Sequence, residues 1–322
     1  MKNRMFMATQ SGLKIFERIK DFWEERDHAL TGLDITAVDL NGDKGILGTT
    51  EGVYISKDGG ENWMLDSKGI DTPHVRWVRF HPHDPRYTFV GTEPANIYSK
   101  MEGEDQWQKS ERVSQLRDQN DWFMPYSPNP GCVRGFAFHK QNIFASVEVG
   151  GLLYSNDYGA TWDLVQGSTG NPHQEPLARQ IHPDVHSVQT HPSSPEYVLA
   201  PTGGGFFISQ DGGLTWEQKY DCYCRAVWVD PTNGLQIVLG PADGVSRGGR
   251  IERSIDGGKT WQPIMENLEE KWQDVMVERF ISADEEIYAV LSDGKVLTAE
   301  VDDFKWQYLM PDLPSVRMLA LS

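Results

Sequence analysis

The sequence predicts an all-β protein folded as a seven-bladed β-propeller, and three observations support this prediction. A short motif that contains aspartate, glycine and tryptophan occurs four times along the chain. Tryptophan residues continue that spacing into the segments where the motif is degenerate. The composition, with 31 glycines and 18 prolines, is typical of many short strands joined by tight turns.

The repeated motif has the pattern Ser-x-Asp-x-Gly-x-x-Trp. Its four copies are SKDGGENW (56–63), SNDYGATW (155–162), SQDGGLTW (209–216) and SIDGGKTW (254–261). Each copy follows an alternating apolar stretch and precedes another short strand, which predicts a tight hairpin turn. The aspartates are predicted to be structural, to bond their own turns and to lie away from the channel. These are Asp58, Asp157, Asp211 and Asp256.

Degenerate copies of the motif extend the series to seven units of about 46 residues, the length of a four-stranded antiparallel blade. The seven tryptophans are Trp23, Trp63, Trp107, Trp162, Trp216, Trp261 and Trp306. The last segment, VRMLALS, supplies a spare strand, and the first blade lacks one. We therefore expect one domain, 1–322, whose closing blade combines 1–30 with 315–322 and leaves no strand edge exposed.

The four segments resemble Asp-boxes, and the chain resembles the BNR/Asp-box repeat propellers of the sialidase-like, glycosyl hydrolase superfamily. The repeat covers essentially the whole chain. That family includes sialidases, other glycosidases, sorting receptors and photosystem assembly factors. The resemblance therefore implies the fold and leaves several function classes open.

The composition argues against two classes of binding partner. Asp and Glu number 47 against 30 Lys and Arg, a net charge of −17, which argues against binding to nucleic acid or to an anionic membrane. Three cysteines are too few for a disulfide framework. With neither a signal-peptide pattern nor a long apolar run, a cytoplasmic protein is expected, and we expect no cofactor.

Three insertions are predicted to lie on one face of the propeller, opposite the Asp-box turns. They are residues 111–131, 167–184 and 240–250. Long loops on one face of a rigid scaffold are common binding sites. In the first insertion, Trp122 and Tyr126 are predicted to hang over blade 4 and to cover a ligand.

Aligning the starts of the innermost strands predicts a ring of side chains at the channel mouth. The ring reads Thr36, Arg76, Arg134, His186, Arg225, Asp274 and Arg317. Four arginines there suit a small acidic ligand or an acidic saccharide, because a guanidinium binds a carboxylate through two parallel hydrogen bonds. In the alternative interpretation each arginine pairs with an acid of its own protein, such as Glu51, Glu93 or Glu148.

Candidate catalytic groups lie on three consecutive blades: Glu148, Asp184, His186 and Tyr223. The sialidase resemblance implies Tyr223 as nucleophile, Glu148 as its activating base and Asp184 as acid, with arginines on the substrate carboxylate. A uronate lyase would instead use His186 or Tyr223 as base.

These residues leave three hypotheses. The leading one is a carbohydrate-active enzyme, a hydrolase or lyase, that binds an acidic sugar at the channel mouth. The alternative is a non-catalytic interaction propeller that holds a protein partner, like the photosystem assembly factors; the absence of the sialidase Phe-Arg-Ile-Pro signature favours it. The third is a metal-dependent enzyme that uses His182, Asp184 and His186, although no metal is our expectation.

Overall fold

The structure is a computed structural model that describes residues 3–20, 22–311, 313 and 315–322. Within these residues, seven antiparallel sheets of four strands each form a ring. This arrangement confirms the predicted propeller. In each blade the strands are called A to D, from the central channel outward.

Blades 1 to 3 occupy the first third of the chain. The first three strands are β1 (Arg4–Thr9), β2 (Gly12–Ile19) and β3 (Phe22–Ala29), in blade 1. Blade 2 comprises β4 (Ile35–Asn41), β5 (Lys44–Thr49), β6 (Gly52–Ser56) and β7 (Met64–Leu65). Blade 3 comprises β8 (Val75–Phe80), β9 (Tyr87–Thr92), β10 (Ile97–Met101) and β11 (Gln108–Lys109).

Helix α1 (Glu111–Gln119) leads from blade 3 into blade 4. Blade 4 comprises β12 (Cys132–His139), β13 (Asn142–Glu148), β14 (Gly151–Ser155) and β15 (Asp163–Leu164). Blade 5 comprises β16 (Gln189–His191), β17 (Ser194–Thr202), β18 (Gly205–Ser209) and β19 (Glu217–Tyr220).

The last two blades and the closing strand complete the ring. Blade 6 comprises β20 (Tyr223–Asp230), β21 (Asn233–Ala242), β22 (Glu252–Ser254) and β23 (Gln262–Pro263). Blade 7 comprises β24 (Val277–Ala283), β25 (Glu286–Leu291), β26 (Val296–Glu300) and β27 (Gln307–Tyr308). The final strand is β28 (Val316–Leu321).

Blade 1 is shared between the two ends of the chain, as predicted. Strand β28 is its strand A and pairs antiparallel with β1, so that Met5 lies opposite Leu321. Of the predicted closing segment, residues 1, 2 and 21 lie outside the described part of the chain. Buried side chains of β1 and β28, such as Met7 and Leu319, join those of blade 7 in one core cluster.

Each Asp-box is a turn between strands C and D. In blade 5, Asp211 accepts hydrogen bonds from the hydroxyl of Ser209 at 2.8 Å and from the backbone N–H of Thr215 at 2.8 Å. The other three boxes repeat these contacts. Hydrogen bonds from Asn62 lower the pKa of Asp58 to about 2.

One glycine of the box brings neighbouring blades together. Gly60 has a φ of +89°, and a Cβ there would lie 2.4 Å from the ring of Phe6 in blade 1. A Cβ on Gly159 would lie equally close to the ring of Phe89 in blade 3. A side chain at either position would separate the blades, so the motif stabilises both the turn and the blade contact.

Most of the strands A have an irregular pairing register near their first residues, at the mouth of the channel. The strand A–B register shifts by one residue at this point in six blades of the described ring. Such a β-bulge turns a side chain out of the regular alternation. The shifts occur at Thr36, Arg76, Arg134, Arg225, Glu278 and Arg317.

The prediction that Asp274 is the blade 7 member of the ring was wrong. Strand A of that blade begins at Val277, three residues after Asp274, and its bulge lies at Glu278. The alternating segment 273–276 resembles a strand start but forms an irregular segment that hydrogen-bonds to the 240–250 insertion. Among the described residues, no helix has both the length and the apolar character needed to cross a membrane.

Candidate functional site

A carboxylate occupies the centre of the channel mouth. Glu278 of blade 7 accepts a hydrogen bond from Arg225 of blade 6 at 2.7 Å and another from Arg134 of blade 4 at 3.2 Å. Arg134 also bonds Glu148, the last residue of its neighbouring strand, at 2.8 Å. We call these four residues the mouth network. Its two arginine forks, which were predicted to hold an acidic ligand, already hold the protein's own carboxylates.

The electrostatics of the mouth network keep all four groups charged. Burial alone would raise the pKa of Glu148 and of Glu278, but the adjacent guanidinium groups outweigh it and hold both pKa values below the usual range. In return, Glu148 and Glu278 raise the pKa of Arg134 against the effect of its burial. The two acids are therefore deprotonated and hydrogen-bonded at neutral pH.

The other two arginines of the predicted ring are paired as well. Arg76 bonds Glu93 at 2.7 Å, and Glu93 also accepts hydrogen bonds from Ser127 and Asn129 of the first insertion. Arg317 bonds Asp34 at 2.9 Å. These contacts follow the alternative interpretation, in which each arginine pairs with an acid of its own protein.

Asp184, His186 and Tyr223 form a second cluster beside the mouth network. The Nε2 atom of His186 lies 3.2 Å from Asp184 Oδ2, and its Nδ1 atom lies 2.8 Å from the carbonyl oxygen of Cys224. Each ring nitrogen of His186 therefore faces a hydrogen-bond acceptor. The Asp184 backbone N–H bonds Nδ1 of His182 at 3.2 Å.

Tyr223 is held by a neighbour and made less acidic. Its hydroxyl oxygen accepts a hydrogen bond from Arg225 Nε at 2.8 Å. Burial raises the pKa of Tyr223 to about 12, although Arg225 opposes the rise. A tyrosine nucleophile needs the opposite shift, since the phenolate is the attacking form.

The groups that could hold a metal differ from the predicted trio. Ligand atoms of Glu148, Asp184 and His186 lie within 4.8 Å of one another, whereas His182 lies outside this group. Glu148 is already bonded to Arg134, and His186 uses both ring nitrogens. A cation there would compete with the adjacent guanidinium, so these residues do not fit a metal well.

The two long insertions meet above blade 4. Trp122 is buried, and its indole N–H donates to the carbonyl of Gly170 in the second insertion at 2.6 Å. The ring of Phe123 stacks on His173 with centroids 5.4 Å apart. The Trp122 ring therefore lies inside the protein and joins the loops, while Tyr126 is 55% exposed.

Large apolar side chains are exposed on the loop face around the mouth. They belong to the first and third insertions and are called the apolar rim: Phe123, Tyr126 and Val245. Leu177 of the second insertion is also exposed, but the carbonyl of Arg179 beside it accepts a hydrogen bond from the backbone N–H of Trp216, in the Asp-box of blade 5. The sequence suggested the first insertion from its aromatic residues, but nothing in it distinguished Val245 from buried residues. Apolar groups displayed together with paired charges are typical of surfaces that contact another protein.

Comparisons with known proteins match the repeat and the fold. Residues 207–218 match the BNR/Asp-box repeat family, and no curated protein sequence matches the chain significantly.

Among solved structures, the propeller is similar to YCF48 bound to D1 peptide, with a TM-score of 0.64, 15% identity, and coverage of 94% of this chain and 89% of that one. YCF48 from Cyanidioschyzon merolae gives a TM-score of 0.67, 14% identity, and coverage of 93% and 92%. An ancestral GH74 enzyme gives a TM-score of 0.59, 15% identity, and coverage of 89% of this chain but 38% of that one. At these identities the likeness shows the fold alone.

Proposed function

We propose that this chain is a non-catalytic interaction propeller that binds an extended segment of a partner protein on its loop face. The observation that carries the proposal is the apolar rim around a mouth whose charges are already paired. Apolar contacts supply binding energy there, and the paired charges at the centre supply polar selectivity.

The contacts at the mouth argue for binding more than for acid–base chemistry. Arg134 holds the pKa of Glu148 below its usual range, so Glu148 is a weak base for the activation of Tyr223. Tyr223 has a raised pKa and accepts a hydrogen bond from Arg225. An acidic sugar would also have to displace Glu278 from two arginines before it could bind them.

The structural comparisons support the same class of function. YCF48, which matches over most of both chains, was solved bound to a peptide, whereas the GH74 enzyme matches over little more than a third of its length. A peptide ligand also suits the loop face, since the first and third insertions provide separate apolar contacts for an extended chain.

The proposal is tested by selecting ligands from a library of displayed linear peptides and measuring their affinities by titration calorimetry. The variants Phe123→Asp and Val245→Asp place a charge on the apolar rim, and each should weaken the selected peptides about tenfold or more. The matched control is Leu214→Asp, because Leu214 is comparably exposed, at 52%, but lies in an Asp-box turn on the opposite face.

Two results would overturn the proposal. One is peptide binding that Leu214→Asp weakens and the rim variants leave unchanged. The other is turnover of an acidic oligosaccharide by the wild type that is lost in Tyr223→Phe, which would restore the enzyme hypothesis.

A further inference from the structure

The central channel contains a cavity of about 480 Å³ below the mouth network. It extends from the bulged starts of the strands A to their opposite ends, at residues such as Phe138 and Ser282. Its wall carries charged and aromatic side chains, among them Arg79, Arg134, Arg225, Glu278, Arg279 and Trp77. The cavity is thus large enough for a small molecule and mixed in polarity.

The charges that line this cavity compensate one another with one exception. Arg79 bonds Asp39 at 3.1 Å. Arg134 and Arg225 belong to the mouth network, where both bond carboxylates. Among the described residues of the wall, Arg279 is the cation that forms neither a hydrogen bond nor an ion pair.

The guanidinium of Arg279 is fixed in position without polar partners. It lies over the ring of Trp77, which comes from blade 3 across the channel, at 4.7 Å from the ring centroid. Its Nε and Nη1 atoms are buried and unbonded within the described part of the chain, and so is the indole nitrogen of Trp77. Buried donors without a partner are rare in proteins, so the charge of Arg279 is compensated by the chain less well than the charges of the other arginines in the wall.

We propose that the channel is an oxyanion site in which Arg279 binds a small carboxylate or phosphate. An oxyanion in the cavity accepts hydrogen bonds from Nη2, the guanidinium nitrogen that is not buried, and supplies the negative charge that the cavity wall lacks. The site is distinct from the predicted cleft at the mouth, where Glu278 takes the place of a ligand. It does not depend on the peptide-binding function proposed above.

The electrostatics of Arg279 agree with this assignment. Burial and the neighbouring Arg134 lower the pKa of Arg279 to about 9, in contrast to Arg134 itself, whose pKa its acid partners raise. A bound anion would favour the charged form of Arg279 and raise its pKa, because an opposite charge in contact favours ionisation.

The experiment measures thermal unfolding in low-salt buffer with and without millimolar inorganic phosphate, and separately with acetate. Either anion, if it binds, should raise the Tm of the wild type by about 2–4 °C, and the anion with the larger shift identifies the ligand class. In Arg279→Leu this shift should disappear, while the Tm without anion should rise because an uncompensated charge has been removed.

Arg253→Leu is the matched control. Arg253 also stacks on an aromatic ring, that of Phe304, and has an unbonded buried Nε atom, but it lies in β22 outside the cavity wall. Its variant should keep the full anion-dependent shift.

A wild type that neither anion stabilises, or a shift that persists in Arg279→Leu, would overturn the proposal. If Arg279→Leu does not fold, Arg279→Gln removes the charge while keeping a polar side chain and decides between the same outcomes.

Discussion

The two faces of the propeller are stabilised by different kinds of contact. On the Asp-box face, each turn bonds itself: Asp211 and its partners Ser209 and Thr215 lie within seven consecutive residues. On the loop face, the central contact joins Arg134 to Glu278, which are 144 positions apart in sequence and belong to blades 4 and 7. Local contacts therefore define the repeat, and long-range contacts define the mouth.

This difference separates fold from function in the molecule. A turn that satisfies its own polar groups can be repeated without regard to its neighbours. A carboxylate that bridges two other blades has no counterpart elsewhere in the described ring, and it depends on the loop face being assembled. Perturbing each face separately should therefore lower the free energy of unfolding by different amounts.

The largest effect is expected from deleting residues 315–322, which removes β28 and affects both faces at once. The buried side chains of Val316, Met318 and Leu319 would be lost, and the inner edge of β1 would be exposed. We expect the free energy of unfolding, measured in urea, to fall by more than about 5 kcal/mol.

Arg317→Ala is the control for that deletion, because it removes the half-exposed pair with Asp34 and keeps the strand. It should cost no more than about 1 kcal/mol. A truncated protein that melts within a few degrees of the wild type would contradict the closed ring.

The next effect concerns the loop face alone. Glu278→Ala leaves Arg134 and Arg225 buried without their shared carboxylate, and we expect a loss of about 3–5 kcal/mol in urea unfolding. Adding Arg225→Ala should recover part of this loss, since one unpaired charge is then removed. A loss below about 1 kcal/mol in the single variant would mean that water replaces the bridge without cost.

A smaller effect is expected on the Asp-box face. Asp211→Ala removes three hydrogen bonds of a partly exposed turn, and we expect a loss of about 1 kcal/mol. Affinity for the peptides selected on the loop face should not change. Loss of peptide binding at unchanged stability would show that the two faces have been assigned the wrong way round.

The smallest expected effect is a loss of folding stability at low pH. The pKa of Asp58 is about 2 in the folded protein, below its unfolded value, so its contribution to stability is complete above pH about 4 and is lost as the pH falls toward 2. Unfolding measured across this range should have a slightly smaller pH slope in Asp58→Asn than in the wild type. An equal slope in both proteins would show that the turn does not hold the carboxylate in its charged form.

The fold could be predicted because its determinants are local. Ser-x-Asp-x-Gly-x-x-Trp contains the donors, acceptors and the glycine that its own turn requires, so the pattern is visible in eight residues. The closing strand could be inferred in the same way, since VRMLALS repeats the pattern of the other strands A.

The candidate site was predicted only in part, because its contacts are not local. The arginine ring followed from the repeated strand starts, and Arg76, Arg134, Arg225 and Arg317 do lie at the bulges. Glu278 was missed because Asp274 precedes a similar apolar alternation. No sequence pattern indicates that an acid in blade 7 reaches an arginine in blade 4, so the occupied arginine forks could not be foreseen.

The shared blade also has a consequence for the order of folding. Strands B, C and D of blade 1 come from the first 29 residues, and strand A comes from Val316–Leu321, so the ring closes across nearly the whole chain. Loop-closure entropy makes such a contact slower to form than the hairpins of the other blades. Until it forms, β1 has an unpaired edge, which is a template for pairing with another molecule. The protein is thus most open to misassembly from the synthesis of blade 1 until β28 pairs with β1, and the rate of that pairing helps to set how long this interval lasts.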